Sequence, residues 1–561
     1  MDVVIIGGVA AGPRAACRLK RLMPDAKITL VNDSELLSYS GCGMPYYVSN
    51  DVEDLKALYS TPYGIIRDKA FFENVKGIEV LTPYKAVVIN RKEKIVHLKQ
   101  VESGEPSKIK YDKLVLALGG HPANPRISGS DNELVHTFSK PEDAEIFRKL
   151  AEGGRLNSVC IIGAGYIGCE MSEAFAGLWG IETTVIESEP YVLPKVLDEE
   201  LAALVRAEME KNGVTVHCGE NVENLMEFNR KLKVFYGEQS FEVDRAIIAT
   251  GLKPNSELAD EAGLVIGNTG AILVNKRLET SDKDIYAGGD CIECEHVILD
   301  NGVYLPLGSL ANRHGRLIAN NIAGKTQEFP GVVGTMIVKV FDLNVAVTGI
   351  TEKVARENDF DVGCVWGSFT DKIDYFPETK NIHLKMVYDK GSKELLGLQA
   401  VGHGDVKNCI DLFATLLMRQ GELDDLFDIE SAYSPPYANA LNSLYVLGCI
   451  AQNQIDGYPE IVSPDVIFKG GPARGTTIID IREDDERKNE PVKLNNENII
   501  EVPFTSLREK LPELEFGEES LIVCARGLRG YEAAAIIKES GKGNPKFLGG
   551  GWNFCKSVMK E

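Results

Sequence analysis

Two cysteines in this chain have surroundings suited to sulfur chemistry, and they lie about 480 residues apart. Cys524 closes the apolar run Leu521-Ile-Val-Cys524 and opens a Cys-Ala-Arg-Gly-Leu-Arg-Gly530 loop, which reads as a strand passing through a turn into a helix from near Tyr531. Successive backbone N–H groups of such a loop, at a helix N-terminus, stabilise an anion. Arg526 and Arg529 add positive charge, which is expected to lower the thiol pKa and favour thiolate or persulfide. Four residues separate Cys524 from Arg529, too few to surround a phosphoryl group as phosphatase loops do, so the loop suits a sulfur atom. Cys42 lies in Leu37-Ser-Tyr-Ser-Gly-Cys-Gly-Met-Pro-Tyr-Tyr47 with no second cysteine beside it. A lone redox cysteine must shuttle between thiolate and a mixed disulfide, a persulfide or a sulfenic acid.

Composition sets the frame for both thiols. At 561 residues the chain is long enough for roughly three or four domains, and its 44% hydrophobic content suits well-packed soluble ones. A formal net charge of -22 argues against nonspecific nucleic-acid binding, because phosphate backbones require compensating cations. No stretch offers about twenty uninterrupted apolar residues. The opening Met1-Asp-Val-Val-Ile-Ile-Gly-Gly8 already reads as a strand and turn, not a leader, so the expectation is a cytoplasmic protein with no membrane partner. Twelve cysteines without the dense spacing of a disulfide scaffold point to reduced thiols. Cys17, Cys160, Cys169 and Cys409 fall in apolar patterns and read as core residues. Cys291 and Cys294 lack a second pair at zinc-site spacing, so no metal is expected.

Two segments have the layout of dinucleotide-binding units. Asp2–Ile6 is a buried-type strand, Gly7-Gly8-Val9-Ala10-Ala11-Gly12 a tight turn, and Pro13 onward a helix, which presents amide N–H groups to a pyrophosphate. Val9 occupies the middle glycine position, and the second strand, Lys27–Val31, ends in Asn32-Asp33, leaving the ribose contact open between Asn32 and Asp33. The second unit is more regular: Ser158–Ile162, then Gly163-Ala-Gly165-Tyr166-Ile167-Gly168, then Thr183–Glu187, with 24 residues from Gly163 to Glu187. A carboxylate there accepts from a free ribose 2′-hydroxyl and repels a 2′-phosphate, so NAD(H) is expected over NADP(H). Arg14, Arg18 and Arg21 recur on one helix face, where an anionic ligand and plain solvent are equally compatible with the spacing.

Leu114–Gly120 and Ala246–Gly251 each read as a strand returning through a glycine, and Asp284-Ile-Tyr-Ala-Gly-Gly-Asp290 sets a carboxylate where flavin ribityl hydroxyls could bind. This set resembles the pyridine nucleotide-disulfide oxidoreductase superfamily. The Ser38-x-Ser-x-Cys42-Gly-x-Pro-Tyr-Tyr run is similar to its single-cysteine branch of coenzyme A-disulfide reductases, NADH peroxidases and NADH oxidases, and nearest to coenzyme A-disulfide reductases fused to rhodanese, including NADH-dependent persulfide reductases. Pro306–Asn312, Gly334–Asp342 and Ala432–Tyr437 look like the same branch. Ile478–Glu483, the Cys524 loop and Leu548–Trp552 together resemble a rhodanese domain over roughly the last hundred residues.

The resemblance implies FAD in the first unit, NADH in the second, and coenzyme A as bound substrate or carrier. It assigns Cys42 as the redox thiol and gives Arg14, Arg18, Arg21 and Ser38 to the phosphates or pantetheine arm of coenzyme A. It further implies tyrosines supplied by the partner subunit of a homodimer, here Tyr433 and Tyr375, although the family's Tyr-Tyr-Pro reads Tyr375-Phe376-Pro377. Gly41 stands where the family usually has Asn. Cys524, with Arg529, would handle sulfane sulfur.

The expected fold is α/β: a FAD-binding domain split over 1–115 and 250–325, a NAD-binding domain over 116–249, both Rossmann-like, an α+β dimerisation domain over 326–452, and a C-terminal α/β rhodanese domain over 453–561. A Gly- and Pro-containing connector, Asp456–Pro472, is expected ahead of the last domain's strands. The implied reaction is NADH-dependent reduction of coenzyme A disulfide, coenzyme A persulfide or polysulfide, with small thiols, disulfides and persulfides as partners. An NADH peroxidase or oxidase, and a redox-sensing sulfur carrier, are the alternatives.

Overall fold

Runs of Val, Ile and Leu buried on both faces favour parallel strands covered by helices, and the chain uses this pattern three times. The computed structural model describes residues 1–123, 125–492, 498–517 and 519–559. They form two units, one of Met1–Ser188 with Glu220–Val332 and one of Glu189–Gly219 with Val333–Glu561.

In the first unit, a parallel sheet takes the strands Ile285–Ala287, Lys113–Leu116, Asp2–Ile6, Lys27–Val31 and Glu79–Leu81 in that spatial order. The return from Asp2–Ile6 outward in both directions puts the glycine turn at the carboxyl end of the central strand, where α/β sheets bind ligands. Helix Ala11–Leu22 follows that turn and packs on helix Gly308–Ile322. A second parallel sheet aligns Glu182–Glu187, Ser158–Ile162, Arg245–Ile248 and Val135–Thr137. Helix Tyr166–Glu173 follows its glycine turn. Val3, Ile5, Leu30, Leu114 and Val115 form the floor of the first sheet, and Ile162, Ile186 and Ile248 belong to the core of the second.

The second unit begins with a five-stranded antiparallel sheet, ordered Met336–Val340, Leu343–Gly349, Leu395–Gly402, Asn381–Asp389, Val362–Thr370. Helices Lys407–Leu417 and Ser443–Ile455 pack against it. Lys385, 1% exposed, contacts Asp198 at 2.9 Å, Glu200 at 2.5 Å and Glu352 at 2.8 Å. Trp366 Nε1 donates to Glu200 and Gln399 Nε2 to Asp198, so this buried charge cluster has hydrogen bonds beyond its lysine. A parallel C-terminal sheet then runs Ile461–Val462, Lys546–Leu548, Ser520–Val523, Thr477–Asp480, Ile499–Glu501. The connector is therefore not a plain linker: Ile461-Val462 pairs with Phe547-Leu548 as an edge of that sheet. Phe554 packs its ring on His383 at 5.1 Å, which joins the last helix to the antiparallel sheet.

Candidate active site

Close approach dictates the glycines of the first turn, and Gly7 adds a φ of +109 that favours glycine. A Cβ on Gly12 would lie 1.9 Å from the Gly7 carbonyl oxygen, and one on Gly8 would lie 2.8 Å from Asn32 Cγ. Asn32 explains the second clash: its Oδ1 accepts from Gly8 N at 2.9 Å, while its Nδ2 donates to the Ser34 and Leu36 carbonyls. The side chain of Asn32 is thus spent on pinning the turn to the segment that leads to Cys42, and the exposed Asp33 keeps the outward position. The second turn repeats the device with a carboxylate. Ala164 N donates to Glu187 Oε2 at 2.7 Å, Ser188 Oγ to Glu187 Oε1 at 3.1 Å, and a Cβ on Gly168 would lie 2.0 Å from Gly163 O. Gly251 closes its strand return at φ +116, a conformation that favours glycine.

Cys42 lies at the tip of this construction, in the short turn Gly41–Gly43 ahead of helix Met44–Val48, and is exposed. That helix is tied down from its far end. Arg148 donates to Tyr47 O at 2.7 Å and lies over the Tyr47 and Trp179 rings, while Trp179 Nε1 donates to Val48 O. Protein packed around the Cys42 side chain pushes its thiol pKa up, and the carboxylates of Glu170 and Asp290 push the same way. Desolvation, with Glu173 second, raises the Glu170 carboxyl to about 7. Asp290 is raised to about 6 by burial, and its Oδ1 is buried with no hydrogen-bond partner among the described residues. A Cβ at Gly41 would meet nothing within 4 Å, so the position beside the thiol is open.

Around Cys524 the chemistry is different. Its Sγ accepts from Gly527 N at 3.0 Å and Gly530 N at 3.2 Å, at the start of helix Leu528–Glu539. The amide nest is present, and the helix begins three residues earlier than the sequence pattern suggests. The expected drop in thiol pKa does not follow. Cys524 is 2% exposed, and burial raises the thiol more than the Gly527, Gly530 and Arg526 amides and the Arg529 charge lower it. The arginines are also partly spent elsewhere: Arg529 makes a two-pronged contact with Glu486 at 2.8 and 2.7 Å, and Arg526 reaches Asp374.

Residues 1–314 match the family model for pyridine nucleotide-disulphide oxidoreductase, and residues 335–445 match its dimerisation domain. The chain belongs to the pyridine nucleotide-disulphide oxidoreductase family. This oxidoreductase is similar to the NAD(P)H sulfur oxidoreductase (CoA-dependent) of Pyrococcus furiosus, with 37% identity over 79% of the chain and 98% of the relative. It is 36% identical to the NAD(P)H coenzyme A polysulfide/persulfide reductase of Pyrococcus horikoshii, over 79% of the chain and 97% of that protein. Among solved structures, a NAD-dependent persulfide reductase from A. fulgidus has 38% identity and a TM-score of 0.94, covering 99% of this chain and 100% of the other. The C-terminal parallel sheet, which lies beyond the dimerisation-domain match, therefore has a counterpart in a solved relative.

Membership implies FAD and NAD(P)H, and the oxidoreductase's residues fit both. The partnerless Asp290 Oδ1 offers an acceptor and the uncapped start of helix Ala11–Leu22 offers amide donors, the Gly7 and Gly8 N–H groups being spent on Val31 O and Asn32 Oδ1. Tyr166, at the second turn, has a buried hydroxyl without a partner among the described residues. The basic stripe is joined by a residue that periodicity alone did not reveal. Arg316, from helix Gly308–Ile322, acts on Arg18 together with Arg21 and Arg14, lowering its pKa after desolvation, and Arg18 Nε donates to Asn320. Ser38, at φ +51, accepts from Arg67 on both its carbonyl and its hydroxyl oxygens. Arg67, Glu170 and Arg316 had no sequence signal of their own; only packing brings them to these positions. Tyr375 is 72% exposed and Tyr433 48%, each on an open loop of the second unit, and the Phe376 ring is covered by Lys372 Nζ at 5.7 Å. Among the described residues no helix is long and apolar enough to cross a membrane. Cys160, Cys169, Cys291, Cys294 and Cys409 are buried in the core.

Proposed function

We propose that this oxidoreductase uses NADH to reduce coenzyme A disulfide, coenzyme A persulfide or polysulfide through Cys42, while a C-terminal rhodanese domain handles sulfane sulfur at Cys524. The observation that carries this reading is a lone exposed thiol, Cys42, beside a buried acceptor-only carboxylate, Asp290, at the mouth of a nucleotide turn. FAD held by Gly7–Gly12 and Asp290 would supply two electrons that began on NADH bound at Gly163–Gly168 and Glu187. Cys42 thiolate attacks one sulfur of the substrate, its S–S bond breaks, and a thiolate or a hydrosulfide leaves while Cys42 keeps the other half as a mixed disulfide or persulfide.

Arg14, Arg18 and Arg21, reinforced by Arg316, form the cationic face for coenzyme A phosphates in an otherwise acidic chain. Exposed Tyr375 and Tyr433 are assigned to a partner subunit's Cys42, where their hydroxyls would donate to the departing thiolate, so the active species is a homodimer. The Cys524 nest suits a persulfide, whose terminal sulfur carries negative charge. The domains follow the boundaries drawn above, and the protein is cytoplasmic.

NADH oxidation by wild type, Cys42→Ser and Cys524→Ser against coenzyme A disulfide, coenzyme A persulfide and polysulfide tests the assignment. Cys42→Ser must lose activity with all three substrates. Cys524→Ser should keep disulfide reduction and slow persulfide or polysulfide reduction; unchanged rates on every substrate remove the C-terminal thiol from the cycle.

A further inference from the structure

Both arginines of the Cys524 loop are held by carboxylates, but they are held by different parts of the chain. Arg529 pairs with Glu486, which belongs to the same C-terminal sheet region. Arg526 pairs with Asp374, which sits in the loop after strand Val362–Thr370 of the antiparallel sheet, 152 residues earlier. One guanidinium nitrogen of Arg526 reaches both Asp374 oxygens, at 2.9 and 2.8 Å.

Asp374 does not simply follow the arginine. Thr370 Oγ1 donates to it at 3.2 Å, and Thr370 is itself held by Asn439 Nδ2, at 2.8 Å to its carbonyl. Asp374 therefore has a tie to the antiparallel sheet besides its pair with Arg526. Arg526 lies two residues from Cys524 with its side chain 38% exposed and its amide among the donors to the sulfur; Arg529 is the charge that already acts there, so Arg526, if released from Asp374, would be a second cation for an approaching donor. With Arg529 also paired, the loop offers little uncompensated positive charge beyond its amides.

We infer that Asp374 is a specificity-determining residue: by holding Arg526 it disfavours small, doubly charged sulfane-sulfur donors at Cys524 relative to donors of lower charge. The inference rests on the reading of Cys524 as the sulfane-sulfur acceptor. In the step concerned, Cys524 thiolate attacks the outer sulfur of a donor, a new S–S bond forms, and the donor's S–S bond breaks. Thiosulfate leaves as sulfite with the electron pair, and methanethiosulfonate leaves as methanesulfinate. Cyanide then takes the sulfur as thiocyanate and returns Cys524 as thiolate. The two donors deliver the same atom by the same displacement and differ by one negative charge.

The full-length holoenzyme is assayed for thiocyanate production from each donor, as wild type, Asp374→Asn, Arg526→Gln, the double variant and Cys524→Ser. Asp374→Asn should raise kcat/KM for thiosulfate about 1.5- to 5-fold, the range for a partly exposed pair. The gain should fall mainly on KM, with methanethiosulfonate changed far less. Asp374→Glu should restore the wild-type ratio, and Arg526→Gln should cancel the gain in the double variant. Equal changes for both donors, or a gain that persists without Arg526, overturns the inference and leaves the sulfur-acceptor reading intact. If Cys524→Ser matches wild type with both donors, the sulfur-acceptor reading fails and the inference falls with it.

Discussion

Replacing Asp290 with Asn separates a residue built for a ligand from one built for stability. Burial lifts this carboxyl to about 6, and one oxygen lacks a partner among the described residues. An ordinary aspartate titrates near 4, so the gap of about two units corresponds to about 2 to 3 kcal/mol. The sign follows from proton binding. Between pH 4 and 6 the folded, flavin-stripped protein holds a proton that the unfolded chain has released, so stability falls as pH rises through that window. Flavin-stripped wild type should therefore lose about 2 to 3 kcal/mol relative to Asp290→Asn between pH 4 and pH 8, read by urea denaturation at each pH. The Asn amide adds its own unsatisfied N–H, but that offset does not depend on pH, so the slope is the diagnostic. With flavin present the order should reverse: Asp290→Asn retains less FAD, read as the 450 nm to 280 nm absorbance ratio after gel filtration. A stability difference that is flat in pH, or full flavin retention by the variant, refutes the reasoning.

Lys385→Met leaves Asp198 and Glu200 buried without their cation and Glu352 with Arg356 alone, and should cost about 3 to 5 kcal/mol, measured by calorimetry. Its pH dependence should also flatten: burial alone would raise Glu352, yet Lys385 and Arg356 bring it down to about 2, so wild type loses this contribution on acidification and the variant, lacking Lys385, loses less. Asn32→Ala removes the acceptor of Gly8 N and both donors to the Ser34 and Leu36 carbonyls; stability should drop by about 1 to 3 kcal/mol with loss of bound flavin, and unchanged flavin content would show that Asn32 does not shape the turn.

Local pattern was sufficient for the glycine turns. A strand, a turn of fixed glycine spacing and a helix are contiguous in sequence, and the Gly12 and Gly168 close approaches are imposed within six residues. Chemistry that depends on what folds back could not be read in the same way. Arg316 reaches the Arg14, Arg18, Arg21 face only because helix Gly308–Ile322 packs on helix Ala11–Leu22. Arg67 is 29 residues from Ser38, and Asp374 is 152 from Arg526. The expected fall of the Cys524 pKa failed for a related reason. Charge is visible in a sequence, but the burial of the sulfur and the carboxylates that occupy the arginines are tertiary facts.

The two thiols consequently share a burial penalty but differ in the groups around them. Cys524 is surrounded by amide donors whose charge state is fixed, so its stabilisation of a sulfur anion does not vary with the protonation of those donors. Cys42 faces carboxyls that do titrate, Glu170 near 7 and Asp290 near 6. Ionising Cys42 while Glu170 is already ionised places two negative charges together, and each disfavours the other. Ionised Glu170 therefore adds to burial in holding the Cys42 thiol up. Cys524 meets the same burial, but there fixed amide dipoles and Arg529 oppose it instead of carboxylates adding to it.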